Sequence, residues 1–339
     1  MKNIFILIFL CLSKIAFSQI TFTVDNFSPD YYGKVQVHDT DDVFRKGWVA
    51  VYDKKSGKEL IKVKSDELAF EIHDGKVKAN INELPYGEES VIIYDDFNFD
   101  GIKDFAIMDG MKSGYHLPSF RIYLADKNGF TYNKELSRLA HENTGMFDID
   151  PKEKKIYTMA KSGCCWHQTK TYLIENNKPR VINISTIEAG GSPYEVITDQ
   201  TWNGKKMVTS VSKSFEPDTE VTHIVMTFTV QKNGKHVILF ESMGLLNYAL
   251  IDTNQHVEFS YPIETDEETP GFMFDTTKDN LSVTFQNKSA NYHIYESANK
   301  VGVEAITKGV LYAQDGDIRS KKGSLKDLLK MKLENLVVR

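Results

Sequence analysis

Cysteine is almost absent from this chain: three residues in 339, one of them, Cys11, inside the apolar N-terminal stretch. The other two, Cys164 and Cys165, are adjacent, which excludes a disulfide framework tying distant segments together. A vicinal disulfide, an intermolecular bridge and two buried thiols stay open. Metal ligation is disfavoured, because no second Cys/His pair lies nearby at ligand spacing. Long apolar runs are missing as well. Ile4–Leu12 is too short to span a bilayer, and nothing later approaches the necessary length. The catalytic signatures HExxH, Walker loop, G-x-S-x-G and G-x-G-x-x-G before a helix are all absent. Basic charge is in short supply, with 41 Lys and Arg against 47 Asp and Glu. That balance makes nucleic acid or an anionic membrane a poor partner and suits a cationic protein.

What is present begins with a secretory pattern. Lys2 gives the positive start, Ile4–Leu12 the apolar segment, and Ala16-Phe17-Ser18 a small-x-small site before Gln19. Cleavage is expected between Ser18 and Gln19, which makes the chain exported, periplasmic or extracellular. Cys11 lacks the small residues that precede a lipidated cysteine. Loss of residues 1–18 removes Lys2 and Lys14 and no acid, so the mature balance is net −8.

The most informative stretch is Ser90–Gly110, SVIIYDDFNFDGIKDFAIMDG. Asp96, Asn98, Asp100 and Asp104 with Gly101 give the spacing D-x-N-x-D-G-x-x-D. Calcium takes six to eight hard oxygens at about 2.3–2.6 Å, so a loop must curl and present oxygens at alternate residues. Asp96, Asn98 and Asp100 supply side chains, Ile102 a backbone carbonyl and Asp104 a ninth-position carboxylate, directly or through water. Gly101 permits the sharp turn. Ile107 stands where an EF-hand carries its bidentate Glu, and the flanks Val91–Tyr94 and Phe105–Met108 are strand-like. The expectation is a strand–loop–strand calcium site.

The remainder reads as β. Trp48–Tyr52 and Leu60–Val63 flank Lys55-Ser56-Gly57. Phe70–Ile72 and Val77–Ile81 flank Asp74-Gly75, a type I′ signal. Phe120–Leu124, Ile156–Met159 and Lys170–Ile174 follow, and only Asn133–His141 looks helical. Later pairs flank Asn233-Gly234 and Asn287-Lys288. Glu188-Ala189-Gly190-Gly191-Ser192-Pro193 is the clearest linker signal. This divides the chain into a signal (1–18), a β domain with the calcium loop (19–188), a linker (189–195) and a second β domain (196–339). The fold class is mainly β, with antiparallel sheets, propeller- or sandwich-like, in two domains. Ser324-Leu325-Lys326-Asp327 reads as a capping box. With Leu325, Leu328, Leu329 and Leu333 on one face, it predicts a C-terminal amphipathic helix covering a sheet.

Gly163-Cys164-Cys165-Trp166 invites a papain-like reading with His293 as base. The β-type flanks, the mid-chain position and the missing first cysteine argue against it. Tyr115, His116, Trp166 and His167 sit in loops and are the residue types that anchor interfaces. Paired carboxylates for glycoside hydrolysis leave no mark in a sequence.

The loop YDDFNFDGIKDFAIMDG resembles that of the FG-GAP/VCBS class. Together with Ser162-Gly163-Cys164 and Tyr172, residues 30–185 resemble exported bacterial proteins similar to periplasmic inhibitors and immunity proteins of lysozyme-like peptidoglycan hydrolases. That resemblance implies an antiparallel β fold stiffened by calcium, with loops able to plug an enzyme's cleft. The expected function is therefore a non-enzymatic calcium-binding module that binds a protein or cell-wall component. Its candidate partner surface is Tyr115, His116, Trp166 and His167. The alternative is an envelope carbohydrate-active enzyme or carbohydrate-binding module.

Overall fold

A computed structural model describes residues 19–24, 26–80, 90–189, 193–262, 271–277 and 280–339. The expected signal, residues 1–18, and residues 190–192 of the expected linker lie outside them. Two compact units form. One comprises residues up to Lys161 with Thr169–Asn183; the other comprises Ser162–Gln168 and Ile184–Arg339.

In the first unit, β1 (Ile20–Val24), β2 (Tyr31–Val37), β3 (Arg45–Asp53), β4 (Glu59–Leu68) and β5 (Lys76–Val77) make a sheet ordered β4-β3-β2-β1-β5. Period-two alternation decides which face is covered on β2 and β4, where Val35, Val37, Ile61 and Val63 are buried between polar neighbours; on β3 Val49, Ala50 and Val51 are all buried. The hairpin expected across Asp74-Gly75 shrinks to one bridge, His73↔Lys76. Lys76 and Val77 pair instead in parallel with Thr23 and Val24. A second sheet runs β6 (Ile92–Asp95), β7 (Asp104–Gly110), β8 (Ser119–Asp126), β9 (Gly129–Asn133) in that order. β7 is buried at every residue, so a helix is needed over it and its neighbours. That helix is α1 (Lys134–Glu142), where the sequence predicts one. Asn133 caps it by accepting from the Leu136 N–H at 2.9 Å. The core of this unit joins the valines of the first sheet to Phe105, Ile107, Phe120, Leu136 and Leu139.

β10 (Asp148–Asp150), β11 (Lys155–Ser162), β12 (Trp166–Glu175), β13 (Lys178–Ala189), β14 (Tyr194–Trp202) and β15 (Met207–Phe215) follow one another as a six-stranded sheet. The division between the units falls within β12 and β13.

The second unit is dominated by a ten-stranded sheet. Its strands are β16 (Thr222–Val230), β17 (His236–Ser242), β18 (Leu245–Ile251), β19 (Val257–Tyr261), β20 (Phe272–Thr277), β21 (Asn280–Asn287), β22 (Ala290–Ser297), β23 (Val301–Thr307), β24 (Val310–Gly323) and β25 (Leu336–Val338). The order is β19-β18-β17-β16-β24-β23-β22-β21-β20-β25. The sheet curls into a half-barrel. Tyr248 on β18 reaches Phe285 on β21 at 5.3 Å between ring centroids, and Tyr261 stacks on Phe285 at 4.3 Å. The antiparallel expectation holds for most described pairings, with β20–β25 parallel.

The C-terminal amphipathic helix is corrected. Ser324 does cap a helical turn, accepting from the Lys326 N–H at 3.1 Å, but the turn is a 3₁₀ segment ending at Lys330. Leu325 and Leu328 are buried while Leu329 is exposed, so one turn already uses the available cover. Asn335 then binds both backbone groups of Leu246, and Leu336–Val338 add a strand beside β20. The β-branched tail forms a sheet edge where leucine spacing alone suggests a helix.

Candidate functional site

The acidic stretch forms a tight loop because its two strands are locked on either side. Asp95 pairs with Asp104 and Tyr94 with Phe105 in antiparallel register, and those two rings stack at 4.7 Å. Phe97 turns into the core against Phe147, 5.7 Å away edge-to-face. That leaves Asp96, Asn98 and Asp100 at alternate positions to curl over it. Phe99 and Gly101 both take left-handed backbone, with φ of 60° and 90°. Gly101 does so at no steric cost, and Phe99 against its preference.

The oxygens of the loop converge. Asp96 Oδ1 and Asn98 Oδ1 both accept from the Asp100 N–H, at 3.1 and 3.3 Å. Asp96 Oδ2 accepts from Gly101 N–H at 2.8 Å, and Asp100 Oδ1 from Ile102 N–H at 2.8 Å. Asn98 Nδ2 donates to Asp100 Oδ2 at 2.8 Å and to Asn177 Oδ1 at 3.0 Å. The Asn177 carbonyl accepts from Asn133 Nδ2, so a chain of amides ties the loop to the capped start of α1.

Asp104 has a different position. It is wholly buried, and its two oxygens accept from the Phe97 and Ala125 N–H groups at 2.9 and 2.8 Å, stitching the loop to β8. Burial pushes its carboxyl up to about 7. Those two N–H bonds oppose the rise, and the Asp100 and Asp96 charges reinforce it. Among the described residues, no group of three or more His, Cys, Asp and Glu side chains is arranged to hold a metal ion. The expected set also draws on Asn98 and the Ile102 carbonyl. Asp96, Asn98, Asp100 and Ile102 come together in the loop, with Asp104 behind them.

The partner-surface residues belong to different units. Tyr115 and His116 lie on a turn over Gly114–His116 in the first unit, both at left-handed φ, 60° and 56°. The turn is pinned through Gly114 N–H to the Asn143 carbonyl and through Ser113 Oγ, which accepts from Gly145 N–H. Tyr115 is exposed, with Lys161 Nζ 4.7 Å from its ring centroid. His116 lies against Phe44 and 3.3 Å from Glu67. Trp166 and His167 begin β12 in the second unit and are half-buried. Just before them, exposed Cys164 and Cys165 are joined as a vicinal disulfide in the turn between β11 and β12.

One cluster went unnoticed in the sequence. Asp109, 1% exposed on β7, accepts from Ser119 Oγ at 2.7 Å and Arg121 Nε at 3.3 Å. It also lies 3.1 Å from His141 Nε2 and 3.4 Å from Lys112 Nζ. Burial raises its carboxyl, but the His141 and Ser119 hydrogen bonds and the His141 and Lys112 charges outweigh it and hold it well below the usual range. Ser119 and His141 both bind the carboxylate, so the aspartate stands between them. Nucleophilic catalysis needs the histidine in that middle place. An acid directly after the apolar run Phe105–Met108, in a strand buried at every residue, was the available signal.

No family model matches the chain, and no curated protein matches it. Among solved structures it is similar to a Xanthomonas type IV secretion system related protein, 20% identical, covering 56% of this chain and 92% of that one at a TM-score of 0.45. A prolyl endopeptidase is 8% identical over 85% of this chain and 41% of its own, at 0.27. TolB from Acinetobacter baumannii is 10% identical over 85% and 64%, at 0.20. Scores at this level carry no argument about activity or location. No helix among the described residues is long and apolar enough to cross a membrane.

Proposed function

We propose that the chain is an exported calcium-binding β protein that acts as a binding and inhibitor module, with a lysozyme-like peptidoglycan hydrolase as its target. The observation that carries the calcium half is the loop itself. The Asp96 and Asn98 side-chain oxygens converge on one amide, a second carboxylate, Asp100, lies next to them, and a buried phenylalanine fixes the turn from below. Asp96, Asn98, Asp100 and the Ile102 carbonyl would hold the ion. Asp104 would keep the loop closed on β8. Calcium supplies charge neutralisation to a loop whose carboxylates otherwise repel one another.

The inhibitor half rests on the turn over Gly114–His116 and on the loop's resemblance to inhibitor and immunity proteins. Tyr115 and His116 are exposed on a turn anchored at its start and closed by the Leu117 carbonyl, which accepts from Ser113. A rigid, strained, aromatic turn loses little freedom when it enters a cleft. The net acidic chain suits a basic hydrolase, since complementary charge speeds encounter. The vicinal disulfide fits an oxidising compartment, which supports export.

The test is peptidoglycan hydrolysis by a set of lysozymes, with and without the purified chain, in calcium and in EDTA. The reading expects loss of hydrolysis at stoichiometric chain in calcium, and recovery when Tyr115 and His116 are replaced by alanine. Sugar release by the chain alone would establish a carbohydrate-active enzyme instead.

A further inference from the structure

The outward face of the five-stranded sheet carries a second arrangement, which meets the turn of the inhibitor reading only at Glu67, 3.3 Å from His116. Cross-strand register sets Lys34 beside Ala50 beside Lys62, and in the next row Gln36 beside Trp48 beside Lys64. The lysines lie on rings. Lys62 Nζ is 3.9 Å from the Trp48 centroid, and Lys34 Nζ is 5.2 Å from that of Tyr52, which stacks on Tyr32. Ala50 is fully covered beneath them. Cation–π contacts of this kind hold flexible ammonium groups in place at a small gain each.

At one end this face sinks into a groove of about 760 Å³ between β2–β4 and the end of β7. Lys46, Lys62, Lys64 and Lys112 line it, a local excess of positive charge on a net acidic chain. Lys46 is paired with Asp66 at 2.7 Å and Lys112 with Asp109. Lys64 makes no ion pair among the described residues, so it is the cation available to a ligand. The groove also holds Trp48, Gln36, Asp66 and Glu67.

The composition selects among anionic ligands. A polyphosphate or an acidic peptide wants cations and donors alone, and it has no sugar hydroxyls to donate to Asp66 and Glu67. A sugar bearing a carboxylate wants all three kinds of group: a cation for the acid, acceptors for its hydroxyls, and an apolar ring surface for its C–H face. The volume suits a short oligosaccharide, within the 300–1,000 Å³ or so typical of ligand pockets. We propose that this groove binds an acidic oligosaccharide. Lys64 takes a sugar carboxylate, Asp66, Glu67 and Gln36 bond its hydroxyls, and Trp48 supports the ring.

The experiment is titration calorimetry of the purified chain at low salt with four probes: tetragalacturonate, neutral chitotetraose, tetraglutamate and tripolyphosphate. Saturable binding of tetragalacturonate is expected, with chitotetraose and tetraglutamate weaker by about tenfold or more. Lys64→Gln, an exposed change that leaves folding alone, should weaken tetragalacturonate by about tenfold and flatten its salt dependence. Trp48→Ala should weaken it while Trp48→Phe retains it. No binding of any probe, equal binding of tetraglutamate or tripolyphosphate, or unchanged affinity in Lys64→Gln would each overturn the proposal.

Discussion

Replacing Asp109 by asparagine tests how the first unit is held at the junction of β7, β8 and α1. The aspartate is 1% exposed and gathers Ser119, Arg121, Lys112 and His141. The amide keeps the shape but places an NH₂ where either donors or cations point. Hydrogen bonds to a charged group are worth roughly 1.5–3 kcal/mol each, and removing one partner of a buried ion network costs roughly 3–5 kcal/mol. Here Arg121, Lys112 and His141 are each part-exposed and can turn to water, which discounts the loss. About 2–3 kcal/mol is expected, or roughly 4–12 °C in Tm for a body of this size. The pH dependence carries the sign. The folded carboxyl is held below its unfolded value of about 3.9, so its contribution is present above that pH and lost as pH falls below it. Melting curves at neutral pH and at about pH 3 should therefore differ between the two proteins more at neutral pH, with the gap narrowing as acid begins to protonate the unfolded carboxyl and vanishing only below the folded value. An Asp109→Asn protein that melts with the parent at neutral pH, or keeps a constant gap throughout, would refute this account of the cluster.

Glu296, buried at 8%, accepts from Leu325 N–H at 2.7 Å and Ser324 Oγ at 3.0 Å and pairs with Lys321. Glu296→Ala should cost about 2–3 kcal/mol and raise hydrogen exchange in Leu325–Lys330 first, measured by mass spectrometry. Gly47→Ala puts a Cβ 1.9 Å from the Gln36 carbonyl, forcing β2 and β3 apart. A loss of about 1–3 kcal/mol or more in denaturant melts is expected there. The Cys164–Cys165 bond closes no long loop, so its reduction by a thiol reductant should leave the melting temperature within about 2 °C.

Much of this architecture was legible because it is local. The calcium-type spacing, the capped helix after Asn133 and the hairpin around Asn233-Gly234 each lie within one short window. Long-range outcomes were hidden. Lys76 and Val77 join β1 from some fifty residues away, which no turn signal beside Asp74-Gly75 could announce. The C-terminal leucines have helical spacing, yet the partners that decide their fate, Leu246 and β20, come from far earlier in the chain. Asp109 draws its partners from positions 112, 119, 121 and 141, beyond any one local window. The groove beside Trp48 draws on several strands, so only the folded register brings its lysines and acids together.

The central claim is that Asp96, Asn98 and Asp100 form a calcium site on which the loop's closure depends, and calcium titration tests it most directly. Calorimetry of the purified chain should show one saturable calcium event, with Kd on the order of 10⁻⁴–10⁻³ M if it behaves as extracellular modules do. Melting in calcium at about 100 times Kd should then exceed melting in EDTA by the equivalent of roughly 2.7 kcal/mol. Asp100→Ala should abolish both signals. No heat of binding, together with identical melting in calcium and EDTA for the unaltered chain, would mean that the loop is held by its own hydrogen bonds and binds no calcium.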